Sequence, residues 1–341
     1  MTRKDFLLMM AGGMTLNAAE KSSFTFPDEW EKHDGTIMIF PARHSYGRKT
    51  QALQKEFAEL ANTIQKNEQV YAFVHSNDKD AAKALLDKNI KTFIGEKYRI
   101  DWARDNAPMF ISNGKKLKAV CFQFNGWGKK YRGWQHDVGV NKAIAKALKI
   151  DIIDSPFVLE GGAIEIGSSK IGQIGIATKQ CVLNKNRTNW SQQKVEKELC
   201  SKLGLKKIIW IDKGLNPDPI TDGHVDGLLK FVAHNTVMLH TTDDDTDENY
   251  QSCLDAKKIL QKAGLKVIEM PLADDIVHMN FYIGSGGKVI YVPVCGDKQQ
   301  DKPALTLLKK HFKKVIPIKA TAMAEAGGGI HCYTQQIPAV K

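Results

Sequence analysis

Several features that would assign a chain at once are missing here. The six cysteines, at 121, 181, 200, 253, 295 and 332, include no Cys-x-x-Cys pair and no Cys-His cluster with zinc-finger spacing. A chain of 341 residues does not need disulfides to fold, so one of these thiols is free to be chemical. Beyond the N-terminus no stretch approaches the ~18 apolar residues of a membrane span. The net charge of +11 comes from scattered lysines, with short clusters at Lys115-Lys116, Lys129-Lys130 and Lys309-Lys310. No basic block is interleaved with aromatic residues, so the charge reads as a solvated surface rather than a nucleic-acid face. No Pro/Gly/Ser-rich linker divides the chain. With 43% hydrophobic and 26% charged residues, there is enough apolar material for a large buried core.

The N-terminus stands apart. Arg3 and Lys4 precede an apolar run from Phe6 to Leu16, and Asn17-Ala18-Ala19 follow. A basic start, a short apolar run and small residues form a secretory-signal profile. Thr2-Arg3-Lys4-Asp5-Phe6-Leu7 resembles a twin-arginine export signal with Lys in place of the second Arg. An ordinary N-terminal helix is the alternative. Residues 1–22 are read as an export segment and 23–341 as a single catalytic domain. Export would place the protein in the periplasm or outside the cell; without it the protein is cytoplasmic.

Short apolar strands alternate with amphipathic helices through the remainder. Strands are expected near 36–40, 70–74, 90–94, 116–124, 157–166, 170–177, 207–211, 227–232, 236–240, 266–270, 280–284 and 288–292. Apolar residues at 53, 57, 60, 61 and 64 predict a helix over 51–66. Further helices are expected over 81–88, 140–148, 192–203, 247–263 and 302–311. Strands outnumber helices about two to one, which argues against one-to-one Rossmann alternation and suits repeated modules of a few strands and one helix. No sequence self-similarity marks such repeats.

Four local constellations could carry chemistry. In Ala326-Gly327-Gly328-Gly329-Ile330-His331-Cys332, three glycines permit close backbone approach to a ligand, and a cysteine follows directly. Cys332 is either a nucleophile or a buried structural thiol beside a turn. The other five cysteines lie in apolar strands or helices and read as core. In Asp222-Gly223-His224-Val225-Asp226, an extended chain would direct His224 and Asp226 to one face, where they could do acid–base work or bind a cation. No third or fourth metal ligand stands nearby in sequence, and a surface turn is the alternative. In Trp102-Ala103-Arg104-Asp105, Trp102 could lie against a planar cation and Asp105 could accept its hydrogen bonds, or the stretch is a loop with an ion pair. Glu160, in Leu159-Glu160-Gly161-Gly162, is a site residue or a strand-end charge. Jointly these suit a guanidinium, which is planar, cationic and matched by carboxylates. A thiolate would attack its carbon, and a histidine would protonate departing ammonia and then activate water.

At this point the chain resembles the agmatine deiminase and bacterial-type peptidylarginine deiminase family of guanidino-group-modifying enzymes, over about residues 24–338. The matching segments, in order, are Pro27 to His33, Trp102 to Asp105, Phe124-Asn125-Gly126-Trp127-Gly128, Leu159 to Gly162, Asp222 to Asp226, Asn280-Phe281-Tyr282-Ile283, and Gly327 to Pro338. The resemblance implies an α/β fold, a five-bladed pseudo-symmetric propeller of strand-rich modules around a central site. It implies Cys332 as nucleophile, His224 as acid–base, Asp105 and Asp226 gripping the guanidinium, and Glu160 against His224 or the substrate. Trp102, Trp127, Asp222 and Gly329 are the expected substrate contacts, with Trp127 and Asp218 or Asp222 at the far side. No metal and no organic cofactor are implied. The expected partner is a small cationic guanidino substrate, with no nucleic acid; a homo-oligomer is left open.

The reaction so implied is hydrolysis of a C–N bond in a linear amidine, through a thiouronium on Cys332. Agmatine is the first expectation, giving N-carbamoylputrescine and ammonia on the way to putrescine. The segment Phe124 to Gly128 carries no arginine for a substrate carboxylate, as in the agmatine branch. Against this, Ala42 to Gly47 lacks the Trp common there in that branch. The alternatives are a secreted peptidylarginine deiminase and a guanidine-binding protein without turnover.

Overall fold

The computed structural model describes residues 23–340. The expected export segment over 1–22 lies outside the described residues. Among these, no helix is long and apolar enough to cross a membrane.

The strands assort into five small mixed sheets, and four follow one plan. In the first, β4 (Met109–Ser112) and β5 (Leu117–Gln123) form an antiparallel hairpin. The helix Val140–Ala147 then carries the chain over to β6 (Asp151–Val158), parallel to β5. The second repeats this with β7 (Ile164–Ser169), β8 (Gly172–Thr178), the helix Gln192–Leu203 and β9 (Ile208–Ile211). The third uses β10 (Leu229–Ala233), β11 (Thr236–Thr241), the helix Tyr250–Lys262 and β12 (Lys266–Pro271). The fourth uses β13 (Tyr282–Ile283), β14 (Val289–Val294), the helix Lys298–His311 and β15 (Lys314–Lys319).

The fifth sheet joins the two ends of the chain. Its antiparallel pair is β1 (His33–Ile39) with β16 (Gln335–Pro338), and the helix Thr50–Gln65 leads on to β2 (Val70–His75) and β3 (Lys91–Gly95). Each module touches the next, β16 packs beside β4, and the ring closes. This is the five-bladed, propeller-like α/β architecture expected.

The local physics follows the sequence pattern. Thr50–Gln65 buries Leu53, Phe57, Leu60, Ala61 and Ile64 on one stripe, each side chain contributing roughly 1.5–3 kcal/mol for the larger apolar residues. Gln192–Leu203 starts where the Ser191 hydroxyl accepts from Lys194 N and stops at Gly204 in the left-handed region, φ 68°.

Three expectations are corrected. The strand expected over 157–166 is interrupted at Gly161–Ala163, so β6 ends at Val158 and β7 starts at Ile164. Strands β4, β15 and β16, and β6 before residue 157, are segments that periodicity did not reveal. The last crossover helix starts at Lys298, not 302, because the Asp297 carboxylate caps Gln299 N and Pro303 is accommodated inside it.

Candidate active site

Pseudo-symmetry explains why residues scattered over the whole chain meet. The chain enters the first strand of every module from the ring's centre, and the residues just ahead of that strand face one cavity. Asp105 precedes β4, Glu160 precedes β7, His224 and Asp226 precede β10, Asn280 precedes β13, and Cys332 precedes β16. All but Glu160 line a cavity of about 520 Å³.

On one wall, Asp105 accepts from Trp127 Nε1 at 2.9 Å and from Gly162 N at 3.0 Å. Trp127 reaches it through an unusual turn: Gly126, Trp127, Gly128 and Lys129 all have positive φ, and Asn125 Oδ1 accepts from Gly128 N at 2.8 Å. Non-glycine residues held in that region are costly, and they cluster where a site needs them. Trp102 stands at 81° to Trp127, ring centroids 5.1 Å apart, and both line the cavity. Gly162 is required by space: a Cβ there would lie 2.6 Å from His224 Nδ1.

His224 Nδ1 is 3.9 Å from Asp105 Oδ2, and Nε2 is 3.7 Å from Glu160 Oε2. Burial works to discharge this ring, but Asp105, the neighbouring Cys181 thiol and Glu160 outweigh it and hold His224 well above the usual histidine range. Glu160 is itself held ionised against burial by Arg187, whose Nε donates to it at 3.0 Å.

Opposite, Asp226 Oδ2 accepts from His331 Nδ1 at 2.9 Å and Asn280 Nδ2 at 3.2 Å, and lies 3.9 Å from Cys332 Sγ. Burial would raise the Asp226 pKa; the His331 hydrogen bond and charge bring it below the usual carboxylate range. Burial, reinforced by Asp226 and Asp105, pushes the Cys332 thiol well above the ordinary cysteine value. Cys332 N donates to Asn280 Oδ1 at 3.2 Å.

Most of the expected site residues are brought together: Cys332, His224, Asp105, Asp226, Trp102, Trp127 and Gly329 line one cavity, with Glu160 directly beneath His224. His224 and Asp226 share the cavity for a different reason from the one expected. Val225–Gly227 is a 3₁₀ turn, not extended chain. Asp222 is not a lining residue. Its carboxylate is taken up by Lys130 (2.6 Å), Arg187 (2.8 Å) and Asn186 (2.8 Å), so it is corrected from substrate contact to support for Arg187. Trp127 sits at the Asp105 end rather than the far side.

The outer wall carries Asp218, Asp274 and Asp275, and no Lys or Arg is among the lining residues. Asp218 is held ionised against burial by Thr221 and neighbouring backbone N–H groups.

Sequence reasoning assigned no role to Asn280, Arg187, Cys181, Glu29 or His331. Asn280 stood in a matching segment, but nothing local marks it as the donor that joins Asp226 to Cys332. Cys181 was read as core and is fully buried, yet it adjoins His224; Cys200 and Cys295 are partly exposed rather than core. The potential ligand atoms of Glu160, Cys181 and His224 lie within 4.8 Å of one another, but Arg187 already occupies the Glu160 carboxylate. A second such trio, His44, His75 and Asp78, lies away from the cavity lining, with Arg43 on Asp78.

The comparisons with known proteins agree with this geometry. The model of the Porphyromonas-type peptidyl-arginine deiminase family matches residues 25–338. The chain belongs to that family. A Mycoplasma capricolum protein named "Putative agmatine deiminase" is 33% identical over 94% of this chain and 98% of its own length. A Legionella pneumophila protein of the same name is 30% identical over 95% and 98%. The solved agmatine deiminase of Enterococcus faecalis superposes with a TM-score of 0.85 at 26% identity, covering 94% of this chain and 97% of that one. Membership in the Porphyromonas-type deiminase family makes the chain a hydrolase of C–N bonds in amidines that deiminates a guanidino group.

Proposed function

We propose that this deiminase acts on agmatine, with Cys332 as the covalent nucleophile. The observation that carries the substrate choice is the charge of the cavity. Asp105 and Asp226 flank Cys332 at the inner end, Asp218, Asp274 and Asp275 line the outer wall, and no Lys or Arg lines it anywhere. Agmatine is a dication without a carboxylate and suits such a cavity at both ends. Free arginine, or a peptide ending in arginine, brings a carboxylate that nothing in the lining would neutralise. The curated relatives at 30–33% identity bear the agmatine deiminase name.

The protonation states support a consistent sequence. In the free enzyme the Cys332 thiol keeps its proton, because it is buried and faces two carboxylates. A guanidinium seated between Asp105 and Asp226 supplies the missing positive charge, and the thiol then releases its proton to solvent. The thiolate attacks the guanidino carbon. His224, already an imidazolium, protonates the departing nitrogen, and ammonia leaves a thiouronium on Cys332. The neutral His224 then takes a proton from water as it attacks. Collapse breaks the C–S bond, the adduct's hydroxyl proton passes to the sulfur, and the ureido product leaves the thiol restored. Trp102 packs on the guanidinium face.

The test is to incubate the protein with agmatine, free arginine and an arginine peptide and to assay ureido product. Preferential turnover of agmatine is expected; turnover of the peptide alone overturns the substrate. An adduct of the mass of a thiouronium on Cys332 after rapid quench is expected, and full activity in Cys332→Ala rejects the mechanism.

A further inference from the structure

Beneath the cavity a buried carboxylate gathers polar partners from several modules. Glu29 comes from the segment that precedes β1 and is buried. Its oxygens accept from Arg104 Nη2 ahead of β4 (3.4 Å), Lys230 Nζ on β10 (3.3 Å), Ile283 N on β13 (2.9 Å) and His331 Nε2 ahead of β16 (2.9 Å). Four of the five modules therefore converge on a single side chain near the ring's axis. Burial acts to protonate it, but Lys230, His331 and Arg104 hold it well below the usual carboxylate range.

One of these four contacts leads to the chemistry. His331 bridges two carboxylates at 2.9 Å each, Glu29 through Nε2 and Asp226 through Nδ1, and is itself 2% exposed. Ionised carboxylates only accept, so a ring that donates from both nitrogens would satisfy both contacts at once. Asp226 Oδ2, the oxygen that His331 fixes, is the one facing Cys332 Sγ. Cys332 is the next residue in the chain.

We propose that His331 is the positioning residue for Asp226, held as an imidazolium between that carboxylate and Glu29, and that Glu29 ties this arrangement to the surrounding modules. The proposal deepens the reading of Asp226 as a substrate-gripping carboxylate and rests on it. His331 keeps Asp226 ionised and fixes which oxygen meets the guanidinium. Glu29 orients His331 and balances the charge it carries. The ionisable groups facing this pair are Glu29, Glu165, Lys230 and Arg104 on the axial side, and His224, Asp105 and Cys332 on the cavity side. Among them only His331 joins the axis to Asp226 by hydrogen bonds at both ends.

The experiment uses the whole chain and two variants, His331→Asn and Glu29→Gln. Asn retains a donor toward Asp226 but carries no charge and cannot reach Glu29. In His331→Asn, Asp226 loses the cation that depresses its pKa and so takes up a proton at higher pH. The acid limb of kcat/KM for agmatine should move up by about one pH unit, and kcat/KM at neutral pH should fall at least about tenfold. Glu29→Gln should move the limb in the same direction by less, through the misoriented ring, and it carries this arm if His331→Asn does not fold. A profile that superimposes on wild type after scaling would mean a merely structural role and overturns the proposal. An independent arm needs no turnover. Nitrogen-15 spectra of wild-type imidazoles at neutral pH should show the His331 ring, assigned by its absence from His331→Asn or, if that variant does not fold, by its shift in Glu29→Gln, protonated on both nitrogens. A neutral tautomer overturns the proposal. If wild type turns over no agmatine, the substrate reading fails, and the imidazole spectra still decide this one.

Discussion

Two adjoining regions of the ring treat buried carboxylates in opposite ways. On the axis, Glu29 meets Arg104, Lys230, His331 and a backbone N–H, and these cations, which also face Glu165 and Asp226, hold it well below the usual carboxylate range. In the cavity just above, Asp105 has one imidazolium 3.9 Å away and otherwise accepts only from Trp127 and Gly162, and burial with nearby Asp226 and Glu160 raises its pKa. The compensated carboxylate holds modules together. On the proposed mechanism, the under-compensated one is where a cationic substrate would relieve an unfavourable buried charge. Asp226 belongs to both regions, with His331 on one side and Cys332 on the other.

This contrast can be broken by experiment. The largest effect should come from Asp226→Asn, which touches both regions: kcat/KM should fall about a thousandfold, since a buried charge partner of the substrate is lost, and a fall under tenfold would deny it the gripping role. Asp105→Asn should cost about a hundredfold or more in kcat/KM while the melting temperature shifts by only a few degrees. Glu29→Gln should do the reverse in stability, costing roughly 3–5 kcal/mol by leaving Lys230 and Arg104 buried without their anion; chemical denaturation measures it. If Asp105→Asn proves the more destabilising of the two, the distinction between the regions fails.

A milder test supplies the missing cation. With an unreactive alkylguanidine bound, the apparent pKa of the Cys332 thiol, read from thiolate absorbance, should drop; an unchanged value would remove the charge argument. The smallest effect concerns Asp101, beside Trp102. Burial pushes it up to about 7, against the Tyr46 hydrogen bond, from an unfolded value near 3.8. A raised carboxylate contributes stability that is present below the unfolded pKa and is lost as pH rises through the folded value. Asp101→Asn should therefore flatten the wild-type decline in stability between about pH 4 and 7. A decline equal to that of wild type would show that Asp101 does not titrate there.

Legibility in the sequence followed the range of the interaction. The crossover helices at 50–65, 192–203 and 250–262 were visible because one face of each is apolar at helical spacing. β16 was not, because four residues hold no period; it is a strand only because β1 lies beside it. The chemical residues could be nominated because glycines and rare residue types cluster around them, as at Gly327 to Cys332. Asp222 misled for the same reason: it shares a motif with His224, yet its carboxylate turns to Arg187 and Lys130.

The sequence by itself pointed to the reaction class, since a thiol, a histidine and several carboxylates suit a guanidinium and stand in the order of the deiminase family they resemble. It also determined the strand-rich modular architecture. Only the tertiary structure decided which carboxylates are compensated. Glu29 and His331 are 302 residues apart, and Asp226 and His331 are 105 apart. Charge balance is a property of distances of a few ångströms, and no local pattern in a chain encodes which distant groups a closing ring will bring within them.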